Sequence, residues 1–523
     1  MLPRLAAFLL LAMACTTHAA TAAGPMGYDD ARHLLLRTGF APTDAQVREY
    51  AGLDRAAGVD RLLREARSDA VTAAPAFALE ATPLRYPRPD NATIEERRAF
   101  QQAQTRQGLE LRAWWVQEML VTPSPLTERM TLFWHNHFVS SQQKVRFARL
   151  MYAQNATFRA HALGSFATLL HAAAKEPAML IYLDGAQSRK AQPNENFARE
   201  VMELFTLGEG HYGEQDVQEA ARAFTGLGID RSTGSYVYRP AQHDDGVKTV
   251  LGRTGAFHGD DVLDILLARP QTARFVTAKL WREFVSPEPD AREVERIAQI
   301  FRGRDYDIKA ALRALFLSEA FWSTDHRGTL VKSPVELVVG SLRQLEVEAT
   351  AALPFAVAAA GMGQNLFAPP NVKGWPGGEV WINSNTLLAR KQFLDRLARN
   401  DDARPGMSAS AVRTARVAAA DDALVEIRAP RTAVTSADGV AADDERMRVQ
   451  RFNQAMDRAM RGIGFNAARW VSQQPGHTPL EKMTSVRTLL LALPPAMAEP
   501  PAPDTEAQAF VRATLLDPVY QLK

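Results

Sequence analysis

Imidazoles and carboxylates that lie close together in the chain are the groups able to do chemistry here, and they occur in three places. His135 and His137 flank Asn136, Glu200 and Glu203 stand at i and i+3, and His243 precedes Asp244, Asp245 and Gly246. Both group types ligate divalent metals and carry protons near neutrality. Two carboxylates at i, i+3 on one helix suit a metal site or an acid/base pair when a second helix covers them. A fourth segment offers different chemistry. Pro369 to Ile382 is rich in proline and glycine and carries Asn371, Lys373, Trp375 and Trp381, and its indoles can stack on a sugar ring or grip a partner.

Each pattern also has an ordinary structural reading. Ser124 as N-cap and Pro125 at the first helical position open a helix that carries both histidines. On a helical wheel Leu126, Met130, Phe133, Trp134 and Phe138 surround His137, which is expected to be buried, as a ligand, a base or a core histidine bonded to a backbone carbonyl or a carboxylate. His135 falls on the opposite, polar side, where a surface hydrogen bond to Glu128 is expected, and two histidines that diverge in this way cannot share one metal from a regular helix. Asn194 as N-cap and Gly208 as C′ residue bound a compact helix over Glu195 to Leu207. Asn196, Arg199, Glu200 and Glu203 share one wedge of it, with an Arg199–Glu203 pair worth about 0.2–0.5 kcal/mol, and a solvent-facing stripe accounts for the wedge as well as a site does. His243 to Gly246 lies at the turn of an expected hairpin, Gly234 to Arg239 and Lys248 to Gly252, where turn chemistry alone favours Asp and Gly. A cation site is the alternative there. The tryptophan loop reads equally as tight structural packing.

The elements that would hold these groups are helices. Apolar residues recur mostly at three- and four-residue spacing and alternating runs are few, which predicts a mainly α, multi-helical globular protein with a small β-hairpin and an irregular Gly/Pro/Trp loop. Helical segments are expected from Tyr28 to about Arg67 and from the capping box Thr93 to Glu96 through Trp114 and Trp115, stopping before Pro123. Others fall over Phe147 to Lys175, Glu214 to Thr225, Asp261 to Ala268 and Gln271 to Val285. Residues 401–450, rich in Ala, Asp and Arg without sustained periodicity, read as a flexible insertion, and Pro494 to Pro503 as a Pro-rich connector. The organisation expected is a main helical domain over 23–400 and a C-terminal helical segment over 451–523 packed on it.

With 523 residues and 46% hydrophobic content the chain buries a large core, while Lys+Arg 61 against Asp+Glu 59 leaves no charge excess that argues for nucleic acid. Residues 1–22 read as a signal peptide: Arg4, then the apolar Leu5 to Ala14, then Ala20-Thr21-Ala22 as the cleavage site. That apolar run is too short for a span of about 20 residues, so the expected product is exported, periplasmic or extracellular, with no transmembrane segment. Cys15, the single cysteine, ends Leu11-Ala12-Met13-Ala14-Cys15. Lipoprotein acylation there is less favoured, because Ala12 stands where a larger aliphatic residue is usual. Under either reading the domain has no disulfide, and thiolate catalysis and Cys-ligated zinc are excluded. Gly-x-Ser-x-Gly, His-Glu-x-x-His, a phosphate loop and a dinucleotide fingerprint do not occur.

Four stretches carry a resemblance: Phe133-Trp134-His135-Asn136-His137-Phe138, Pro193-Asn194-Glu195-Asn196-Phe197-Ala198-Arg199-Glu200 running on to Gly208, Leu330-Val331-Lys332-Ser333-Pro334-Val335-Glu336-Leu337, and Pro370-Asn371-Val372-Lys373-Gly374-Trp375-Pro376-Gly377-Gly378. Together they resemble the bacterial family called domain of unknown function 1800. The resemblance implies export, and a partner from another exported group whose genes often neighbour that family's, domain of unknown function 1501, which looks like the sulfatase and alkaline phosphatase superfamily. Two positions depart from the family pattern, Phe205 where His is frequent and Gly213 where Thr or Ser is frequent. The leading expectation is a metal-dependent enzyme, hydrolase or oxidoreductase, with Glu200, Glu203 and His137 catalytic and a divalent metal held by a set drawn from His135, His137, Glu200, Glu203, His243 and Asp244. The competing expectation is a non-catalytic secreted partner that binds the phosphatase-like neighbour or a cell-surface polymer through Asn371, Lys373, Trp375 and Trp381, an argument that burial of the two indoles removes.

Overall fold

Several helix starts in the computed structural model, which describes residues 24–80, 83–88, 90–347, 349, 351–399, 465–497, 502 and 505–523, fall at residues whose side chains cap them. Thr93 and Glu96 exchange bonds to open Ile94–Val121, and Ser333 and Glu336 do the same for Pro334–Gln344. Ser124 precedes Pro125–His137 as expected, although its hydroxyl meets Thr127 Oγ1 at 2.7 Å instead of a helix amide. The expected signal peptide with Cys15 and the 401–450 insertion lie outside the described residues.

Two long helical segments resolve into shorter ones where the chain carries breakers. Tyr28 to Arg67 becomes Gly27–Thr38, Asp44–Ala51 and Arg55–Arg64, with Thr43 and Asp54 restarting the helix. Phe147 to Lys175 divides around Gly164 into Ala148–His161 and Phe166–Lys175.

Pro125–His137 runs through the middle of the fold. Ile94–Val121, Ala148–His161 and Gly27–Thr38 all pack on it, and it is buried from Leu126 through His135 and again at His137. A helix enclosed on every side has no polar face, which corrects the expectation that His135 and Glu128 meet at the surface. Trp115, Trp134 and Trp281 are the largest fully enclosed side chains, and Trp134 packs on Phe138 and Phe166 at ring-centroid distances of 5.9 and 5.7 Å; each such phenylalanine contributes about 1.5–3 kcal/mol by leaving water.

The expected hairpin is also corrected. Tyr236–Tyr238 pairs backwards with Leu227–Ile229, and Lys248–Val250 pairs forwards with Arg253–Gly255, so the described strands form two separate antiparallel pairs. The reason lies in Gly234 and Gly252, which adopt φ +81 and +78 in the connections inside these two pairs and supply tighter reversals than the residues between 239 and 247. Ala467–Ser472, Pro479–Leu490 and Ala507–Leu516 pack together, the last of them also on Ser384–Ala398. The chain then returns to the main body, where Val331 pairs with Leu522 and the Lys523 amide donates to the Leu330 carbonyl at 2.8 Å. This brings the Lys523 side chain to the start of Pro334–Gln344. No described helix is long and apolar enough to cross a membrane.

Candidate functional site

Burial governs how His137 behaves. It sits at the end of its helix with 2% exposure, and the rings of Phe138, Phe166 and Phe205 surround it at centroid distances of 4.5, 5.8 and 6.1 Å. Nε2 lies 3.1 Å from the Phe205 carbonyl oxygen and Nδ1 lies 3.1 Å from Lys279 Nζ. A carbonyl only accepts, so Nε2 carries the hydrogen and Nδ1 turns its lone pair to the lysine. Burial first and the Lys279 charge second push the imidazole well below its ordinary range, against the opposing bond to Phe205. His137 is therefore neutral at physiological pH.

Lys279 projects from Pro270–Phe284 and donates to the Leu204 carbonyl at 3.0 Å as well as to His137. Both carbonyls belong to Val201–Thr206, which continues the α-helix Glu195–Glu200 as a π-helix. Carbonyls at a helix C-terminus lack partners in their own chain segment, and here a lysine and a histidine from two other helices supply them. Gly208, at φ +83, then turns the chain away. Burial, and after it the charge of Arg282, lower the Lys279 ammonium to about 7. Two of its N–H groups are committed, which leaves one tetrahedral position of the nitrogen for the cleft that Lys279 lines.

That cleft has a volume of about 410 Å³ and is lined by five cations, Arg129, Lys279, Arg282, Lys373 and Lys523, and two carboxylates, Glu283 and Glu336. Both carboxylates are already spoken for. Arg129 lies 2.5 Å from Glu283 and in close contact with Glu336, and Lys523 closes on the same Glu336 oxygen. The other Glu336 oxygen accepts the Ser333 amide at 2.8 Å. Burial pushes Glu336 up, but Arg129 and Lys523 outweigh it and hold the carboxyl well below its usual range; burial lowers Lys523 to about 8. Arg282 makes no hydrogen bond or ion pair with any described residue, and Lys373 has only a 3.4 Å contact with exposed Glu209. The unneutralised charge of the cleft is positive.

One wall is the tryptophan loop. Asn136 Oδ1 accepts the Trp375 amide at 2.6 Å, and the loop can come this close because residue 374 is glycine. Gly374 has φ +89, and a Cβ there would stand 2.2 Å from Asn136 Oδ1 and 2.8 Å from its carbonyl oxygen. Trp375 and Trp381 are 4% and 5% exposed, so they offer no outer stacking surface; they line the cleft instead, and Trp375 Nε1 has no hydrogen-bond partner. Asn371 Oδ1 accepts the Lys373 amide at 2.9 Å, an Asx turn that shapes the loop.

The remaining candidates are placed elsewhere. His135 is enclosed by Trp115, Phe158 and Phe367 and its Nε2 meets Asn155 Nδ2 at 3.0 Å, while Glu128 pairs with Arg159 and accepts from Trp115 Nε1. Glu200 and Glu203 do not line the cleft. Glu203 accepts the Tyr212 hydroxyl at 2.7 Å, and burial together with the Glu203 charge raises Glu200. Arg199 pairs with Glu214 at 2.6 Å, not with Glu203, since the π turn after Glu200 shifts the i, i+4 register. His243 Nδ1 bonds the Thr225 carbonyl at 3.0 Å and its ring stacks on His258, and a double hydrogen bond from Arg222 holds Asp244 down to about 2. Among the described residues no group of three His, Cys, Asp or Glu side chains is arranged to hold a metal ion.

Three of the four segments singled out in the sequence therefore meet at one cleft, through Asn136 and His137, Ser333 and Glu336, and Lys373 and Trp375. The fourth reaches it through the Leu204 and Phe205 carbonyls. Lys279, Arg282, Glu283, Arg129 and Lys523 were not legible as site residues. The one local signal was a lysine four residues after Phe275 and three after Val276, on the inward side of an otherwise ordinary amphipathic helix.

A family model described as Protein of unknown function (DUF1800) matches residues 33–513. No curated protein and no solved structure matches the chain.

Proposed function

This chain belongs to the DUF1800 family of proteins of unknown function, so its chemistry must come from its own cleft, and we propose that it is an exported enzyme that binds an anionic substrate there and moves a proton with Lys279. The observation that carries this reading is the buried Lys279 amine, lowered to about 7 and oriented by His137 and a helix-end carbonyl in a cleft with unpaired positive charge. At neutral pH a large share of the amine is unprotonated and can act as a base. The proton comes from a carbon or hydroxyl beside the substrate's acidic group, which Arg282 and Lys373 hold. The ammonium that forms is stabilised by the Leu204 carbonyl and the His137 Nδ1 lone pair, both at the negative end of the Glu195–Thr206 helical segment. His137 stays neutral throughout and serves as a positioning residue. Trp375, Trp381 and Phe133 supply apolar walls for the uncharged part of the substrate.

Export is supported by Arg4, the apolar Leu5 to Ala14 and Ala20-Thr21-Ala22. A divalent metal has no ligand set among the described residues to recommend it, and no step above runs through one. The test is a binding and turnover series with sugar acids, read by the fluorescence of the cleft tryptophans and by product analysis. Arg282→Gln is expected to weaken binding of the acid about tenfold or more without loss of fold, and Lys279→Met to bind while losing turnover by about 10²–10⁴. Equal binding of the neutral sugar and its acid, or turnover untouched in Lys279→Met, contradicts the reading.

A further inference from the structure

A second concavity, of about 1190 Å³, shares no lining residue with the cleft. It lies between residues 83–88 and 91, Lys144 on Gln142–Val145, the turn at Gly185–Gln187 and the strand pair Leu227–Ile229 and Tyr236–Tyr238. Six cations line it, Arg85, Arg88, Lys144, Arg189, Arg231 and Arg239, against one carboxylate, Asp184, which Lys144 engages at 2.7 Å. Over the whole chain the two signs nearly balance, 61 to 59, so this is a local concentration and not the background. The guanidinium groups of Arg85, Arg88, Arg189 and Arg231 make no hydrogen bond or ion pair with any described residue. Like charges held together without partners repel one another and focus a positive potential into the groove.

We propose that this groove binds an extended, carboxylated polysaccharide. Its volume exceeds the roughly 300–1,000 Å³ of sites for small molecules, which points to a chain lying along it. Guanidinium forks match carboxylates in pairs of parallel hydrogen bonds. The amides of Asn91, Gln187 and Gln242 line the same groove, groups that donate to and accept from hydroxyls. One charge per unit with hydroxyls between the charges is the pattern of a polyuronate. Single-stranded nucleic acid needs aromatic faces for its bases. Tyr86 is the one aromatic residue in the lining, and its ring packs edge-on against Phe147 at 4.5 Å while its hydroxyl donates to the Val145 carbonyl.

The full-length mature protein is tested against polygalacturonate, neutral dextran and single-stranded DNA across a salt series. The probes are compared on wild type, on Arg189→Gln/Arg231→Gln, and on a control of equal charge change at exposed positions remote from either concavity, Arg64→Gln/Arg253→Gln. Polygalacturonate is expected to bind with affinity that falls as salt rises, to lose at least tenfold in the groove variant and less than twofold in the control. Three results overturn the assignment: no binding of polygalacturonate at low salt, equal losses in groove variant and control, or DNA binding more tightly than polygalacturonate with the same loss in the groove variant.

Discussion

Lys279 and Glu336 show how the same burial gives opposite outcomes at the scale of single residues. Glu336 meets two cations and stays ionised; Lys279 meets a neutral imidazole, a carbonyl and the like charge of Arg282, and its affinity for a proton falls. The sign of the pH dependence follows. Below pH about 7 Lys279 is protonated in both folded and unfolded chains; between there and the ordinary lysine value of 10.5 the unfolded chain holds the extra proton, so this residue's contribution to stability improves as pH rises. Lys279→Met removes the buried charge, and we expect it to raise the melting temperature more at pH 6 than at pH 9, as differential scanning calorimetry can show. Glu336→Gln does the reverse, since it leaves Arg129 and Lys523 buried without their shared anion; the expected loss is about 3–5 kcal/mol in urea unfolding. The helical wheel identifies His137 as buried, because five neighbouring apolar positions point one way. It fails for His135, because Glu128 pairs with Arg159 and His135 with Asn155 inside the core, and these groups so mimic a polar face.

Among the elements, the helix ends were legible and their mutual placement was not. Thr93 and Asn194 announce their helices through local chemistry that one stretch of sequence contains. The π turn at Val201–Thr206 leaves no such mark, since its apolar residues serve a regular helix equally well, and its consequence depends on carbonyls whose partners lie far along the chain. The tryptophan loop is decided by one contact. Gly374→Ala places a Cβ against Asn136 and in a left-handed backbone, and we expect about 1–3 kcal/mol of destabilisation, with the environment of Trp375 altered in near-UV circular dichroism. Asn371→Ala, which removes only the Asx turn, should cost less.

For the whole molecule, the mainly α class followed from the three- and four-residue apolar spacing, and the family from four short segments. What joined those segments into one cleft was tertiary. Helix Pro125–His137, helix Pro270–Phe284, the start of Pro334–Gln344 and Lys523 are separated by more than a hundred residues at their extremes, and no local pattern encodes that meeting. The cleft therefore depends on the packing of residues 465–523 against the main body. Deleting residues 518–523 removes Lys523 from Glu336 and the chain from Lys332 and Arg390, and we expect both lower stability and loss of sugar-acid binding at the cleft. Lys279 is where the proposed chemistry stands or falls. The most direct measurement is its titration in the folded protein, by pulsed amine labelling and peptide mass spectrometry from pH 5 to 11, with exposed lysines such as Lys190 and Lys391 as internal references. Half-maximal reactivity of Lys279 near pH 7, well below the references, is the expected result; a midpoint near 10 together with theirs would contradict a catalytic amine in this cleft.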